Sequence, residues 1–576
     1  MQKYFFSILC SLAFILIVIG AGAPHAIAQP GISGQWLGEL PVPNAPPMMI
    51  SFTFSGTKEK GLSGSWCSPV QSPMQDSMSF VMISGDSLHV IIAKANGRYD
   101  AKISGNVITG TWMQATTPIP LVMYRPQLFL GTLKAGIVEL RLGIELLRLP
   151  AGRTIGTLVS VDQGMLDLPI DSLVLGDTSF FFRVSAVKGK YYGSTTKEHT
   201  FFKGTWEQGP QAIPLELELV DKFPATMKPQ DPVKPYPYDE EDVTYFNPAG
   251  NDTLAGTLTI PRTTGQHPVV LLITGSGPQD RNETLLGHHP FWVLADYLTR
   301  QGIEVLRVDD RGTGASTGKF LDATSGDFAT DVEAGITFLK TRKEINKKQI
   351  GLLGHSEGGM IAPMVAARSS DVAFVVLLAG PGVPSRQLMR LQREALMKVT
   401  GAPLDSLRSQ LDLNSSIDSI VASEPNDSLA RIAITPLWDN LIDAQLRTAK
   451  VSEKERADFE LHKDEMMKPI LAPWYRFWIR RDPRIDIKKL QIPVLAINGS
   501  KDVQVVAKEN LHGIETALKL GGNKDYKVQE LEGLNHLFQT APTGAVTEYA
   551  GIKETMSPVA MKVIGDWVVA HTLAKK

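Results

Sequence analysis

The 576-residue sequence predicts a multidomain chain: two tandem all-β modules, then a mostly parallel α/β sheet with helices on both faces and a helical lid insertion. Three observations predict it. Residues 32–221 hold short alternating stretches such as MISFTF and LHVII, punctuated by GD, NG and SG, the pattern of antiparallel strands and turns. The same region repeats itself at a nearly constant offset. From residue 243, nearly continuous Val/Ile/Leu runs alternate with helical stretches, which requires strands buried on both faces.

Ahead of the modules, residues 1–28 read as a signal peptide. Lys3 supplies a positive start, YFFSILCSLAFILIVIG an apolar run, and Ala26–Ala28 a small-residue cleavage site before Gln29. The run from Tyr4 to Ile19 has 16 residues, short of the about 20 that a membrane span needs. The expected product is exported, periplasmic or secreted, with no stable membrane span. Cys10 sits inside the apolar run and makes a poor lipidation site. Cleavage would leave Cys67 alone, with no intrachain disulfide. Lys+Arg 58 against Asp+Glu 60 gives a net charge of -2, and no basic run carries interleaved aromatics, so no nucleic-acid partner is expected.

The modules are expected at 29–126 and 127–221. QWLGEL (35–40) returns as LFLGTL (128–133), GSWCSPVQSPMQD (64–76) as GTLVSVDQGMLDL (156–168), and ITGTWMQATTPIPL (108–121) as FKGTWEQGPQAIPL (202–215). Their glycine–tryptophan pairs read as barrel or sandwich packing. Neither module holds a catalytic cluster, and polysaccharide or surface contact is the role left open to them. Residues 222–242, with five prolines, read as a stiff extended linker.

The catalytic domain is expected at 243–576. LAGTLTI precedes the buried strand PVVLLIT, followed by helix PFWVLADYLTRQG, strand IEVLRVDD, helix DFATDVEAGITFLKT, strand QIGLLG, a helix from Glu357 and strand VAFVVLLAG. Residues 385–486 break this alternation with RQLMRLQREALMK, VSEKERADFELHKDEMM and WYRFWIRR, the expected lid. Strands IPVLAIN and YKVQELE and a helix near 557–573 complete the domain.

Within it, GLLGHSEGGM (351–360) places Ser356 between Gly354 and Gly358, with an apolar strand leading in and a helix leading out. Glycines leave no side chain to clash where the chain turns sharply, so the hydroxyl stands at a helix N-terminus as a nucleophile. A base must follow. His462 falls in the lid, His512 inside the stretch KENLHGIETALKL and His571 in the last helix, whereas His536 follows the last strand on a loop. Asp502, just past IPVLAIN, is placed to orient that imidazole, with Glu532 as the alternative. The oxyanion donors are expected from the backbone N–H of Glu357 and, on the loop GSGPQDR, of Ser276, with Gly277 next.

Three motifs, GSGPQDRNE (275–283), VDDRGTGASTG (308–318) and GHSEGGMIAP (354–363), stand in the region from about 240 to 576. That region resembles the serine α/β-hydrolases, more narrowly the bacterial esterases that carry these motifs. The resemblance implies the α/β-hydrolase fold, carboxylic ester hydrolysis through an acyl-enzyme, no metal or cofactor, and Ser356, Asp502 and His536 as the triad. One departure stands out: Thr274-Gly275 replaces the His-Gly with which many hydrolases begin the oxyanion loop.

Smaller features take structural readings. Asp310 and Arg311 are expected to bond each other or the loop backbone, and Asp280 and Arg281 to buttress the oxyanion loop. The adjacent His288 and His289 lack a third ligand at metal spacing. GTGASTG lacks the Gly-Lys-Ser/Thr ending of a phosphate loop. Trp474, Tyr475 and Trp478 suit an acyl pocket or core packing equally. The expected function is an exported esterase acting on small-molecule esters with short to medium acyl groups. The alternatives are a serine exopeptidase of the prolyl-peptidase type, or a surface- or carbohydrate-binding protein with a secondary hydrolase domain.

Overall fold

The computed structural model describes residues 32–573 apart from 42–46, 58–60, 70–71, 79, 93–96, 115–116, 136–137, 151, 162–165, 209–210, 225–227, 321, 400–403 and 450–466. Residues 1–28, read above as a signal peptide, His462 and nearly all of VSEKERADFELHKDEMM lie outside the described residues. The chain divides into two compact units. One holds the β-rich N-terminal region with Thr284–His288; the other holds Lys228–Glu283 and His289–Lys576. Among the described residues no helix is long and apolar enough to cross a membrane.

The first unit contains two nine-stranded antiparallel sheets of identical strand order. In each, the first strand lies between the second and the ninth: Gly34–Leu40 between Met48–Thr57 and Thr117–Tyr124, and Gln127–Ala135 between Val138–Arg148 and Gln211–Val220. The repeated sequence segments fall on equivalent strands. Trp112 and Trp206 pack over Gly97 and Gly189, where an added Cβ would meet the indole at 2.2 and 2.1 Å. Two residues on along the same strands, Tyr99 and Tyr191 donate their hydroxyls to the carbonyls of Leu121 and Leu215 at 2.8 and 3.0 Å. Each sheet curls around its own core, with Trp36, Phe52 and Tyr99 in one and Phe129, Phe182 and Tyr191 in the other.

The second unit is built on an eight-stranded sheet, its strands numbered here β1 (Tyr238–Asn247), β2 (Asp252–Pro261), β3 (His267–Ile273), β4 (Glu304–Val308), β5 (Ile345–His355), β6 (Val372–Leu378), β7 (Val494–Gly499) and β8 (Tyr526–Leu531). They lie in the order β1-β2-β4-β3-β5-β6-β7-β8, with β2 antiparallel to both neighbours and every later pair parallel. Successive side chains of a strand face opposite ways, and β3 and β7 are buried along their whole length. Leu271, Leu352, Val375 and Ala496 meet helices α2 (Ser325–Thr341) and α3 (Gly358–Ala366) on one face, and Val270, Leu353, Val376 and Leu495 meet α1 (Pro290–Thr299) on the other.

The linker ends earlier than expected. Tyr238 to Asp242 already belong to β1, because Tyr238 is buried and donates its hydroxyl to Asp296 Oδ1 at 2.8 Å. The insertion contributes α4 (Ser385–Val399), α5 (Leu404–Ser423), α6 (Asp427–Ala449) and α7 (Pro473–Ile479). A buried Arg393 bonds Asp418 and, at 3.0 Å, Tyr475 Oη, which ties α4, α5 and α7 together. Tyr475 is thereby a structural residue of the inserted segment.

Because the two glycine–tryptophan contacts are equivalent, Gly97→Val and Gly189→Val should each destabilise the β-rich unit by about 1–3 kcal/mol, measured by thermal denaturation of the full chain. A tolerated substitution at either would show that the sheets do not need this close approach.

Candidate active site

The site forms at the carboxyl end of β3, β5, β7 and β8, where loops leave a parallel sheet. After β5 the chain turns so tightly that backbone lies on backbone. A Cβ on Gly354 would stand 2.0 Å from Gly358 O, and one on Gly358 2.2 Å from Ile273 O. Ser356, between them, takes a left-handed φ of 52° and anchors its N–H on Leu378 O at 2.8 Å. Its side chain is half-buried, and α3 starts two residues later.

His536 Nδ1 lies 2.7 Å from Asp502 Oδ2. The other oxygen of Asp502 accepts the N–H groups of Gln504 and Val505 at 2.7 and 2.9 Å, so the carboxylate is held by its own loop. That loop is stitched to the histidine loop by Ser500 N–H to Leu531 O and Lys501 N–H to Leu534 O, each at 2.9 Å. Glu532, the alternative acid, is exposed, as is His512. His571 bonds Trp567 O at 2.8 Å within the last helix.

Two groups that sequence reasoning passed over join these loops. Glu283 Oε1 accepts the Gly275 N–H at 2.8 Å and lies 2.8 Å from His355 Nδ1. His355 Nε2 lies 3.0 Å from the carbonyl of His536, and the two imidazoles sit 4.8 Å apart between ring centres. The residue before Ser356 therefore touches the residue expected to be its base. Gly275 spends its N–H on Glu283, which leaves the expected donors Ser276 and Gly277 as the next amides on that loop. Both new residues stand inside the quoted motifs; the polar pair x-H-S beside a glutamate ending GSGPQDRNE was the available signal.

Glu357 has a buried carboxyl as well as the expected backbone role. Its Oε1 accepts from Ser325 Oγ and from Trp474 Nε1, the latter at 2.8 Å. Burial pushes its pKa up, against hydrogen bonds from Ser325, Trp474 and Ser276 that favour the charged form. Trp474 thus brings the inserted helical segment to the residue after Ser356, with Trp478 stacked on it at 5.6 Å. A cavity of about 40 Å³ is lined by Thr274, Gly275, Asp310, Phe328, Glu357 and Ile361.

Asp310 and Arg311 do not bond each other. Asp310 accepts from Thr274 Oγ1 at 2.7 Å and from the Gln279 N–H at 2.9 Å, whereas Arg311 grips Asp331 with two bonds of 2.7 and 2.8 Å. Arg281 reaches Asp309 at 2.7 Å, and Asp280 accepts the Asn282 N–H at 3.1 Å, so both brace the loop after β3. His289 pairs with Asp231 at 3.1 Å. Among the described residues no group of three or more His, Cys, Asp or Glu side chains is placed to hold a metal ion.

A family model described as serine aminopeptidase, S33 matches residues 291–540. Esterase EstD of Thermotoga maritima is 29% identical over 328 residues, 57% of this chain and 64% of its own length. The chain thus spans somewhat less than two thirds of that curated relative. Together these two matches support a hydrolase of the α/β class. Solved structures similar to the chain include a Pyrococcus furiosus esterase, with 17% identity over 58% of this chain and 92% of that one at a TM-score of 0.36. Another is Est1E of Butyrivibrio proteoclasticus bound to ferulic acid, with 14% identity over 58% of this chain and all of that one (100%) at 0.34.

Burial holds the Asp310 carboxyl well above the usual carboxylate range, against its bonds to Thr274 and Gln279. Folding then takes up a proton, so this group's contribution to stability is full below about pH 4 and is lost as pH rises through the folded pKa. Asp310→Asn mimics the protonated acid, its nitrogen facing the Thr274 hydroxyl and its oxygen the Gln279 N–H. It should change stability at neutral pH by less than about 1 kcal/mol and flatten the decline of Tm with rising pH. A large loss of stability at neutral pH would show that the acid is ionised in the fold.

Proposed function

We propose that the protein is an exported serine esterase that cleaves carboxylic esters of short to medium acyl chains through an acyl-enzyme, with Ser356, Asp502 and His536 as its triad. The observation that carries the reading is the 2.7 Å contact of His536 with Asp502 on loops that meet the left-handed turn of Ser356. Its other supports are the EstD relationship and the three motifs.

Ser356 Oγ attacks the ester carbonyl while His536 Nε2 takes its proton, and Asp502 fixes the tautomer and stabilises the imidazolium. The oxyanion forms against the N–H groups of Glu357 and Ser276 in a site closed by the lid. His536 returns the proton to the departing alcohol, and water repeats the sequence on the acyl-enzyme. No step calls for a metal or cofactor. In the same reading residues 1–28 direct export, modules 29–126 and 127–221 serve polysaccharide or surface contact, and 222–242 tethers them to 243–576.

A second reading, a serine exopeptidase, is favoured by the description of the matching family model. Turnover of p-nitrophenyl esters of graded chain length beside aminoacyl-proline anilides separates the two. The esterase reading expects rapid ester cleavage with no anilide cleavage, and the reverse result replaces it. Ser356→Ala should abolish turnover, and Asp502→Asn should lower kcat on the order of 10³–10⁴-fold with KM little changed. Full activity in Ser356→Ala would refute the assignment of the nucleophile.

A further inference from the structure

We propose that His355 is a resident imidazolium that donates from Nδ1 to Glu283 and from Nε2 to the His536 carbonyl, and so positions the histidine loop against the nucleophile turn. The inference deepens the triad reading and rests on it for its kinetic consequence.

The argument starts from proton counting. A neutral imidazole has one N–H and one lone pair. Here both ring nitrogens face acceptors: Glu283 Oε1 at 2.8 Å and the carbonyl of His536 at 3.0 Å. A carbonyl cannot donate, so Nε2 must carry hydrogen. The remaining proton lies between Nδ1 and Glu283 Oε1. That oxygen also accepts the Gly275 N–H at 2.8 Å, a bond that favours the carboxylate and leaves the proton on the ring. Burial alone would drive the His355 pKa down; the charge and hydrogen bond of Glu283 outweigh it, and the pKa is raised. The charged or titratable groups around the ring are Glu283, the His536 imidazole at 4.8 Å and Asp502 beyond it, with Phe538 edge-on at 6.4 Å.

A single carboxylate oxygen thus connects three segments: the oxyanion loop through Gly275, the nucleophile strand through His355, and the histidine loop through the His536 carbonyl. Each segment carries a non-glycine residue in the left-handed region, Glu283 at φ 53°, Ser356 at 52° and Phe538 at 59°. Such conformations persist where the surroundings over-determine them. His355 itself is a positioning residue, acting through His536.

The test joins spectroscopy to kinetics. In protein labelled with ¹⁵N-histidine, the His355 resonances, assigned by their loss in His355→Gln, should show two protonated nitrogens at neutral pH. Glu283→Gln keeps the shape of the side chain and removes its charge. It should lower kcat for p-nitrophenyl butyrate roughly 10–100-fold with KM nearly unchanged. It should also shift the alkaline fall of kcat to lower pH. The sign follows because the contribution of a group with a raised pKa is present below that pKa and lost as pH rises through it. Glu283→Asp should restore part of both. A singly protonated His355 in the wild type overturns the proposal, as does a folded Glu283→Gln with unaltered kcat and pH profile. If Glu283→Gln does not fold by circular dichroism, the wild-type resonances and the Glu283→Asp profile decide. Labelling by a fluorophosphonate keeps the two readings apart: an unlabelled Ser356 in the wild type sinks the triad, while the His355 protonation state stands or falls by the resonances.

Discussion

Backbone packed on backbone at the turn after β5 is the constraint from which the site follows. No side chain fits at Gly354 or Gly358, so β5, the start of α3 and the end of β3 approach more closely there than side-chain-bearing chains allow. The parallel register of β3, β5 and β6 fixes where that crossing falls. Ser356 is then held by its N–H bond to Leu378 at the end of β6, so sheet geometry, and not loop flexibility, sets the position of its hydroxyl. The loops after β7 and β8 are brought to the same rim by the neighbouring parallel pairs and clasp each other by backbone bonds.

What the sequence made legible divides along the same line. The buried strands and covering helices were readable because burial on both faces writes long apolar runs, and the glycines around Ser356 because steric exclusion leaves a fixed spacing. Partner choice among polar loop residues was not. Arg311 turns away from its neighbour Asp310 to a bidentate grip on Asp331, in the second turn of α2, and nothing in the local sequence distinguishes those options. Glu283 and His355 lie 72 positions apart and meet only because β3 and β5 are adjacent in space. The start of β1 was hidden for another reason: prolines upstream suggested an extended connector, and the burial of Tyr238 depends on a helix far along the chain.

Buried polar groups are handled in more than one way. In the inserted helical segment, Arg393, Asp418 and Tyr475 bond one another, so the charges that leave water recover paired, directional bonds. In the β-rich unit, Glu145 is fully buried and leans on the Thr157 hydroxyl at 2.8 Å, and burial raises its pKa, beside Asp167. Cys67 sits against that Asp167, and burial together with the neighbouring carboxylate pushes its thiol far above the ordinary range. A thiol in that setting stays protonated and inert.

The strand order of the two β sheets, with the first strand seated between the second and the ninth, has a consequence for biosynthesis. Gly34–Leu40 cannot acquire its second neighbour until Thr117–Tyr124 has been made, and the next strand to emerge, Gln127–Ala135, occupies the same place in a sheet of the same design. Newly made chains therefore face a contest between the right closing partner and its counterpart in the sibling sheet, the kind of exchange that traps tandem folds. Divergence between the two copies outside their repeated segments biases that contest toward self-closure.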